Sequence, residues 1–158
     1  MALVRVSDDP FEPGGLLAAF SACRTTTGAI VSFTGLARAE PDETALELQA
    51  YPGFTDAVIA AQVEAAVARF ALHDALVRHR TGLVHPGEAI VFVAVAAAHR
   101  RAAFEAADHL MDWLKSRAPF WKKAHGLAGA HWIEPTTADY QDAARWDQTH
   151  PARERPHV

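Results

Sequence analysis

A chain of 158 residues, half of them hydrophobic and 22% charged, is long enough to bury one hydrophobic core. That balance excludes an intrinsically disordered protein. The formal net charge of −4 excludes the broadly basic surface on which nucleic-acid binding depends, so we expect no nucleic-acid partner and only local anion sites.

Membrane, metal and disulfide features are all weak in this sequence. No stretch reaches the roughly 18 apolar residues of a membrane span, and the start lacks the apolar core of a signal peptide; we therefore expect a cytoplasmic location and no membrane partner. The nine histidines lie singly, without the spacing of metal ligands, so we expect no metal. Cys23 has no partner cysteine and is expected to be a small buried side chain.

In the first half of the chain, apolar periodicity predicts alternating strands and helices. The predicted elements are a strand at Leu3–Val6, a helix at Pro13–Cys23, strands at Gly28–Gly35 and Ala45–Tyr51, and a helix at Asp56–Phe70. We expect the two neighbouring strands to pair with each other across the polar segment between them. Thr55 is expected to cap the helix that follows.

The second half predicts two strands, one long amphipathic helix and a short final group. The predicted elements are strands at Leu72–Arg80 and Glu88–Ala96, a helix at Arg100–Lys115, short strands at Phe120–Lys123 and Ala130–Glu134, and a helix at Thr137–Trp146. The strand at Glu88–Ala96 is apolar throughout and should be central in its sheet. The long helix should bury one stripe, made of Ala103, Phe104, Ala107, Leu110, Met111 and Leu114. These elements predict an α+β fold with a mixed or antiparallel sheet and flanking helices, forming a single domain over residues 1–149 with a flexible tail at 150–158.

Two lysines lie among aromatic and apolar neighbours where the long helix ends. Pro119 interrupts any helix, so Lys115 lies at a helix end and Lys122 begins another element. A lysine held against aromatic rings loses hydration of its charged form, which lowers its pKa toward the range useful in catalysis. The alternative is a helix C-terminus whose cations suit the helix dipole.

Other basic residues also lie at the ends of predicted elements, where sites are usually built. His99 and Arg100 precede the long helix, where side chains and free N–H groups could together hold a phosphate; the alternative is a solvated helix start. Arg38 follows a strand and is either a site residue or an exposed loop cation. His79 and Arg80 are expected to serve strand pairing and the surface.

The length of the long helix constrains how these residues cooperate. The ends of a helix over Arg100–Lys115 lie roughly 22 Å apart. A small substrate cannot readily touch both ends. The two ends therefore form separate sites, or a two-fold dimer brings one copy's His99 and Arg100 to the other copy's lysines.

The ordered motifs resemble those of the large, catalytic subunit of molybdopterin synthase. The matching segments are His79–Leu83, Pro86–Glu88, Val91–Val93, His99–Phe104 and Met111–Lys122, within a resemblance that runs from about Gly28 to Trp146. The resemblance implies a single-domain α/β hammerhead-like fold. It also implies a homodimer of large subunits within a heterotetramer, with a small ubiquitin-like sulfur-carrier subunit ending in Gly-Gly bound at each end.

The implied activity is sulfur transfer from the carrier's thiocarboxylate to cyclic pyranopterin monophosphate, which forms the molybdopterin dithiolene. No cofactor is implied, because the carrier supplies the sulfur. Lys115 and Lys122 match the essential lysines of the family. The residues that match substrate-binding and pocket positions are Arg38, His99, Arg100, Phe33 and Met111, with Lys123 beside them.

The sequence departs from the family pattern at several positions. Gln49 and Ala50 stand where the family carries Glu-His, and Ala124 stands where it often carries Glu. These changes leave open a dimeric binding module for the carrier with impaired catalysis. A third alternative is a phosphate-ligand enzyme of unrelated chemistry, which would act without any carrier.

Overall fold

The computed structural model describes residues 2–147, and the predicted tail at 150–158 lies outside the described residues. Within this part of the chain, eight strands and four helices form an α+β fold, as predicted. In chain order they are β1 (Ala2–Ser7), α1 (Pro13–Ser21), β2 (Ala29–Leu36), β3 (Glu43–Ala50), α2 (Phe54–Phe70), β4 (Asp74–Arg80), β5 (Gly82–Val84), β6 (Ala89–Ala97), α3 (Arg100–Ser116), β7 (Phe120–Gly126), β8 (Gly129–Ile133) and α4 (Thr137–Ala144).

The first sheet has the strand order β1-β4-β6-β2, with β1 parallel to β4 and the other pairs antiparallel. Strand β6 is internal, as its unbroken apolar run predicts. Its residues alternate between two apolar clusters: Val93 and Val95 face the cluster that α2 and α3 cover, while Phe92 and Ala94 face the smaller cluster of α1. Burial on both faces explains why this strand has no polar alternation.

The second sheet has the strand order β5-β3-β7-β8, and it corrects the expected pairing of β2 with β3. Strand β2 pairs with β6 of the first sheet, whereas β3 pairs with β5 and β7 of the second. Neighbours in sequence often form hairpins, but here β6 offers β2 an apolar partner. Leu48 of β3 in turn lies buried in a cluster with Val84 and Ala37.

The N-terminus of α2 also differs from the prediction. Gly53, with a φ of 80°, occupies the position before the helix and makes no side-chain cap. Thr55 lies one residue inside the helix and is fully buried. Its hydroxyl accepts a hydrogen bond from the Tyr51 N–H at 2.9 Å and donates one to the Pro119 carbonyl at 3.1 Å, so it ties α2 to the segment before β7 rather than capping the helix.

Helix α3 packs against β2, β6 and α2. Ala103, Ala107, Leu110 and Leu114 are buried as predicted, but the side chain of Phe104 is 61% exposed, so its assignment to the buried stripe is wrong. Its place at the helix interface is taken by Ala106 and His109, because the buried face is turned toward α2.

The environment of Cys23 and the lengths of the helices bear on two further expectations. Cys23 is exposed, in the turn after α1, so the expectation of a buried thiol is wrong. No helix in residues 2–147 is long and apolar enough to cross a membrane.

We predict that Leu110→Ala lowers the free energy of unfolding by about 2–5 kcal/mol, because it removes a buried side chain from the core beneath α3. Urea unfolding at one fixed protein concentration measures this change. Leu127→Ala is the matched control, since that leucine is 84% exposed and its loss should cost no more than about 0.5 kcal/mol. Equal losses for the two variants would contradict the assignment of the core.

Candidate active site

A cavity of about 650 Å³ opens between the end of β2, the C-terminal half of α3 and β7. It collects five of the eight residues that the sequence singled out: Phe33, Arg38, Met111, Lys115 and Lys122. These five residues come from β2 and the segment after it, from α3 and from β7. The remaining three predicted residues, His99, Arg100 and Lys123, lie elsewhere.

The side chain of Lys122 faces the cavity because the side chains of β7 alternate between the two faces of the sheet. Successive side chains of a strand point to opposite faces, so Lys122 shares the inner face with buried Ala124. Burial lowers the pKa of Lys122, and the positive charge of Lys115 lowers it further. The lowered lysine pKa expected from the sequence is therefore supported at Lys122.

Lys115 lies in the last turn of α3, and its side chain is 57% exposed. Its Nζ is 3.9 Å from the Asp139 carboxylate, a distance at the outer limit of an ion pair. Asp139 also raises the pKa of Lys122 electrostatically, opposing the effects of burial and of Lys115. The negative charge of Asp139 thus partly offsets the positive charges of both lysines.

Asp139 was not among the predicted site residues, although its sequence context points to its position. Thr136 and Asp139 form a capping box at the start of α4: the carboxylate accepts hydrogen bonds from the Thr136 N–H at 2.8 Å and from the Thr136 hydroxyl at 2.9 Å. The bond from the Thr136 N–H is the main cause of the lowered pKa of Asp139. The cap holds the carboxylate in its ionised form beside the lysines.

His79 is a second residue of the cavity that sequence reasoning missed. It was expected at the surface with Arg80, but both are buried because β4 is an internal strand. The His79 ring stacks on Phe120 with 4.0 Å between centroids, and its Nδ1–H donates to the Arg80 carbonyl at 2.9 Å. Burial lowers the pKa of His79 to about 4, so the imidazole is neutral at physiological pH. Its Nε2 is then a hydrogen-bond acceptor.

Arg38, Phe33 and Met111 form the wall of the cavity away from β7. Arg38 belongs to the segment after β2 and lies 3.4 Å from the Glu40 carboxylate, with its side chain largely in solvent. Phe33 is partly exposed, and Met111 packs at the edge of the main core. The wall therefore offers one exposed cation and an aromatic surface.

A smaller cavity of about 250 Å³ adjoins the first one and shares Arg38, Lys115 and Lys122 with it. Its other walls come from Ala118, Phe120 and the segment Glu134–Thr136, together with Asp139. The two lysines therefore lie where two cavities meet.

Lys123, also predicted to bind substrate, lines neither of the two cavities. It lies on the outer face of β7, where its Nζ is 5.1 Å from the centre of the Trp132 ring. The same alternation that turns Lys122 inward turns Lys123 outward. Lys123 consequently stabilises the sheet surface through a cation–π contact.

His99 and Arg100 lie at the opposite end of α3 from Lys115. The helix contains 17 residues, so its ends are about 24 Å apart. His99 is the N-cap residue but makes no side-chain cap hydrogen bond. Within one chain these two residues and the lysines do not form one site.

The residues that depart from the family pattern leave a carboxylate beside the two lysines. Ala124 is buried beneath the sheet, and Asp139 supplies the carboxylate beside the lysines. Gln49 and Ala50 line a separate groove next to the end of β1. Among residues 2–147 there is no cluster of histidine, cysteine and acidic side chains that could hold a metal ion.

Comparisons with known proteins show which family this chain is similar to. The family model described as MoaE protein matches residues 6–117. A molybdopterin synthase catalytic subunit from Caulobacter vibrioides is 63% identical over 147 residues, covering 92% of this chain and 98% of the relative.

Solved structures share the fold. A molybdopterin biosynthesis MoaE protein from Burkholderia ambifaria is 35% identical, with a TM-score of 0.80 over 94% of this chain and 100% of that one. A complex of subunits 1 and 2 of molybdopterin-converting factor from Helicobacter pylori matches with a TM-score of 0.68 at 20% identity, covering 84% of this chain and 89% of that chain. The chain belongs to the family of molybdopterin synthase catalytic subunits.

Proposed function

We propose that this chain transfers sulfur from the C-terminal thiocarboxylate of a small ubiquitin-like carrier to cyclic pyranopterin monophosphate, forming the molybdopterin dithiolene. The observation that supports this most is the position of Lys115 and Lys122 where two cavities meet. A protein that joins two substrates needs this arrangement, since each must reach the same reactive groups.

The larger cavity suits the pterin phosphate. Arg38 can pair with the phosphate, and Phe33 can stack on the flat pterin ring. The smaller cavity suits the carrier, because a chain ending in Gly-Gly is slender enough to reach the lysines past Ala118 and Pro135. The Helicobacter pylori complex of two converting-factor subunits supports such a partner. The sulfur comes from the carrier, so no cofactor is required.

The two lysines are suited to different tasks. Lys122, whose pKa is lowered, is the better proton acceptor near neutral pH. Lys115, beside Asp139, is the cation that stabilises negative charge developing on the thiocarboxylate oxygen. In each transfer the thiocarboxylate sulfur bonds to a pterin side-chain carbon while a carbon–oxygen bond at that carbon breaks, and the departing oxygen leaves as water or stays on the phosphate. Water then hydrolyses the acyl–sulfur bond, which leaves a thiolate on the pterin and a carboxylate on the carrier.

The anion site is completed by a second copy of the chain. His99 and Arg100 of the partner subunit approach the lysines of the first copy, because the length of α3 prevents them from reaching the lysines of their own chain. The assembly is then a homodimer of catalytic subunits with one carrier bound to each, a heterotetramer.

We predict that Lys122→Ala lowers the rate of dithiolene formation by about 10²–10⁴-fold, the usual contribution of a general acid or base. The measurement uses the pterin precursor and thiocarboxylated carrier. Lys123→Ala is the matched control and should keep its activity, because that side chain faces away from the cavity. Wild-type protein that binds the carrier but forms no product would instead support the impaired binding module.

We predict that the rate of dithiolene formation rises with pH and reaches a plateau at a pH below the ordinary pKa of lysine. The reason is that the neutral amine of Lys122 accumulates near the lowered pKa of this residue. Asp139→Asn removes the negative charge that raises this pKa, so the rising limb should move to lower pH. The amide oxygen can still accept the bonds from Thr136. Asp142→Asn on the exposed face of the same helix should leave the limb in place. A limb that moves to higher pH in Asp139→Asn would contradict the role of Lys122.

Subunit complementation tests the shared site. Lys122→Ala and Arg100→Ala damage different halves of the shared site. Random mixing of the two variants gives mixed dimers that each have one intact site, so the mixture should show about a quarter of wild-type activity. The two variants are coexpressed with different tags and assayed for dithiolene formation. Lys122→Ala mixed with Lys115→Ala is the control, since both changes fall in the same half and every site stays damaged. Equal activities in the two mixtures would contradict a shared site.

A further inference from the structure

One wall of the larger cavity is a row of three residues that crosses the first sheet. The strand register places His79 of β4 opposite Val91 of β6, and Val91 opposite Gly35 of β2. Residues directly opposite each other in a sheet share one face, and all three of these residues line the larger cavity. Neighbouring strands lie about 4.8 Å apart, so the row runs roughly 10 Å from His79 to Gly35. A surface of this length can support a flat, fused-ring compound.

The glycine at one end of the row keeps the surface level there. A Cβ atom on Gly35 would lie 2.6 Å from Cγ1 of Val91 and 3.2 Å from Cε1 of Phe33. Without that atom, the two side chains close over the backbone of Gly35, and Phe33 stays partly exposed to the cavity. The row therefore ends in an aromatic ring at β2 and in the imidazole of His79 at β4.

The contacts of His79 hold its ring in place and fix the position of its proton. The ring is stacked on Phe120, with an angle of 20° between the two planes. Nδ1 lies 2.9 Å from the Arg80 carbonyl oxygen, which can only accept, so the proton is on Nδ1 and the lone pair is on Nε2. Burial lowers the pKa of His79 to about 4, which keeps this tautomer neutral at physiological pH.

The Nε2 atom of His79 faces the cavity without a partner from the described chain. Within residues 2–147, the buried side-chain polar atoms that lack a hydrogen bond are the Ser7 hydroxyl, Arg80 Nε and His109 Nδ1. His79 Nε2 is not one of these atoms, although nothing in the same residues bonds to it, so it is open to the cavity that His79 lines. Acceptors in such protected places are normally satisfied by a donor. A ligand that brings an N–H group to this end of the row meets that need.

The charged side chains of the cavity serve a different part of a ligand. Its cations, Arg38, Lys115 and Lys122, suit an anion. Its carboxylates contact the chain itself: Glu40 lies 3.4 Å from Arg38, and Glu43 accepts a hydrogen bond from the Glu40 N–H at 3.2 Å. His79 adds an uncharged acceptor at the buried end of the row.

We propose that His79 binds the substrate directly, with its Nε2 accepting a hydrogen bond from a ring N–H or amino group of a flat heterocycle that lies along Val91 and Gly35. This inference rests on the proposed function, because a pterin carries such N–H groups and its phosphate can pair with Arg38. His79 then selects against a ring of equal size that presents only acceptors at this end. Such a ring would leave two lone pairs facing each other without a proton between them.

The first test measures binding with His79→Phe, which keeps a ring against Phe120 and removes Nε2. Calorimetry without the carrier should show a Kd for cyclic pyranopterin monophosphate raised by about 5–100-fold, because a donor of the substrate loses its acceptor. His79→Gln keeps an acceptor, the amide oxygen, and should bind more tightly than His79→Phe. Unchanged binding by His79→Phe would overturn the proposal.

His109→Phe is the matched control for this measurement. His109 is also a buried histidine, 7% exposed, but it lies beside Gln62 of α2 and does not line the larger cavity. This variant should bind the pterin phosphate as wild type does. Inorganic phosphate should bind equally to all the variants, since Arg38 is unchanged. An equal loss of pterin binding in both phenylalanine variants, or a loss of phosphate binding in His79→Phe, would mean general damage and overturn the proposal.

The second test observes His79 in the wild-type protein by ¹⁵N NMR of the imidazole rings. Cyclic pyranopterin monophosphate should move the Nε2 signal of His79 toward that of a protonated nitrogen, because this atom accepts a hydrogen bond in the complex. Inorganic phosphate alone should not move it. The Nε2 signal of His109, 3.0 Å from the Gln62 amide nitrogen, is the internal control. A His79 signal that stays in place with the pterin bound would overturn the proposal.

The role of His79 and the sulfur transfer can fail separately. In the dithiolene assay His79→Phe should raise KM for the pterin and leave kcat within about threefold, as expected for a group that binds substrate and transition state alike. A lower kcat at an unchanged KM would mean that His79 acts through Lys122 and would overturn its binding role while sulfur transfer stands. Wild type that binds the pterin with the expected NMR shift but forms no product would overturn the sulfur transfer while the role of His79 stands.

Discussion

Lys122 is a half-buried lysine with a second lysine close by, and much of the structure around it limits the energetic cost of that arrangement. Burying a charged amine away from water is expensive unless it is paired or loses its proton. Here Asp139 opposes the repulsion from Lys115, and the capping box of α4 keeps that carboxylate ionised. The neighbouring imidazole of His79 is neutral and adds no further charge. The pocket thus holds an amine that gives up its proton more readily than an ordinary lysine.

The scaffold fixes this pair through links between elements that are distant in sequence. Pro119 ends the helical segment, and its carbonyl accepts a hydrogen bond from buried Thr55 at the start of α2. That bond anchors the residue directly before β7 to α2, and the alternation of β7 turns Lys122 toward the cavity and Lys123 away from it. A shift of one residue in the register of β7 would exchange these two lysines. The reactivity of the site therefore depends on the packing between α2, α3 and the second sheet.

Sequence periodicity correctly predicted the helices and strands whose apolar pattern lies within one short segment. It failed where the position of a strand or side chain depends on residues far away in the sequence. It predicted α3 and the internal strand β6, because a long apolar stripe and an unbroken apolar run are visible in one window. It paired β2 with β3 wrongly, since the pairing of β2 with β6 depends on residues more than fifty positions away. His79 was assigned to the surface for the same reason: its burial comes from the position of β4 inside the sheet. Phe104 fits the helical pattern, yet no other part of residues 2–147 covers it, and it is 61% exposed.

The positions of the cations on and beside α3 favour the association of two copies of the chain. Lys115 and Lys122 already repel each other at one cavity, and adding Arg100 to it increases that repulsion until an anion binds. A rigid helix of about 24 Å keeps the two groups apart in each monomer. In the proposed dimer the two groups meet at one cavity, and their mutual repulsion opposes association. A bound phosphate relieves it, so the anionic substrate and the partner subunit stabilise each other's binding.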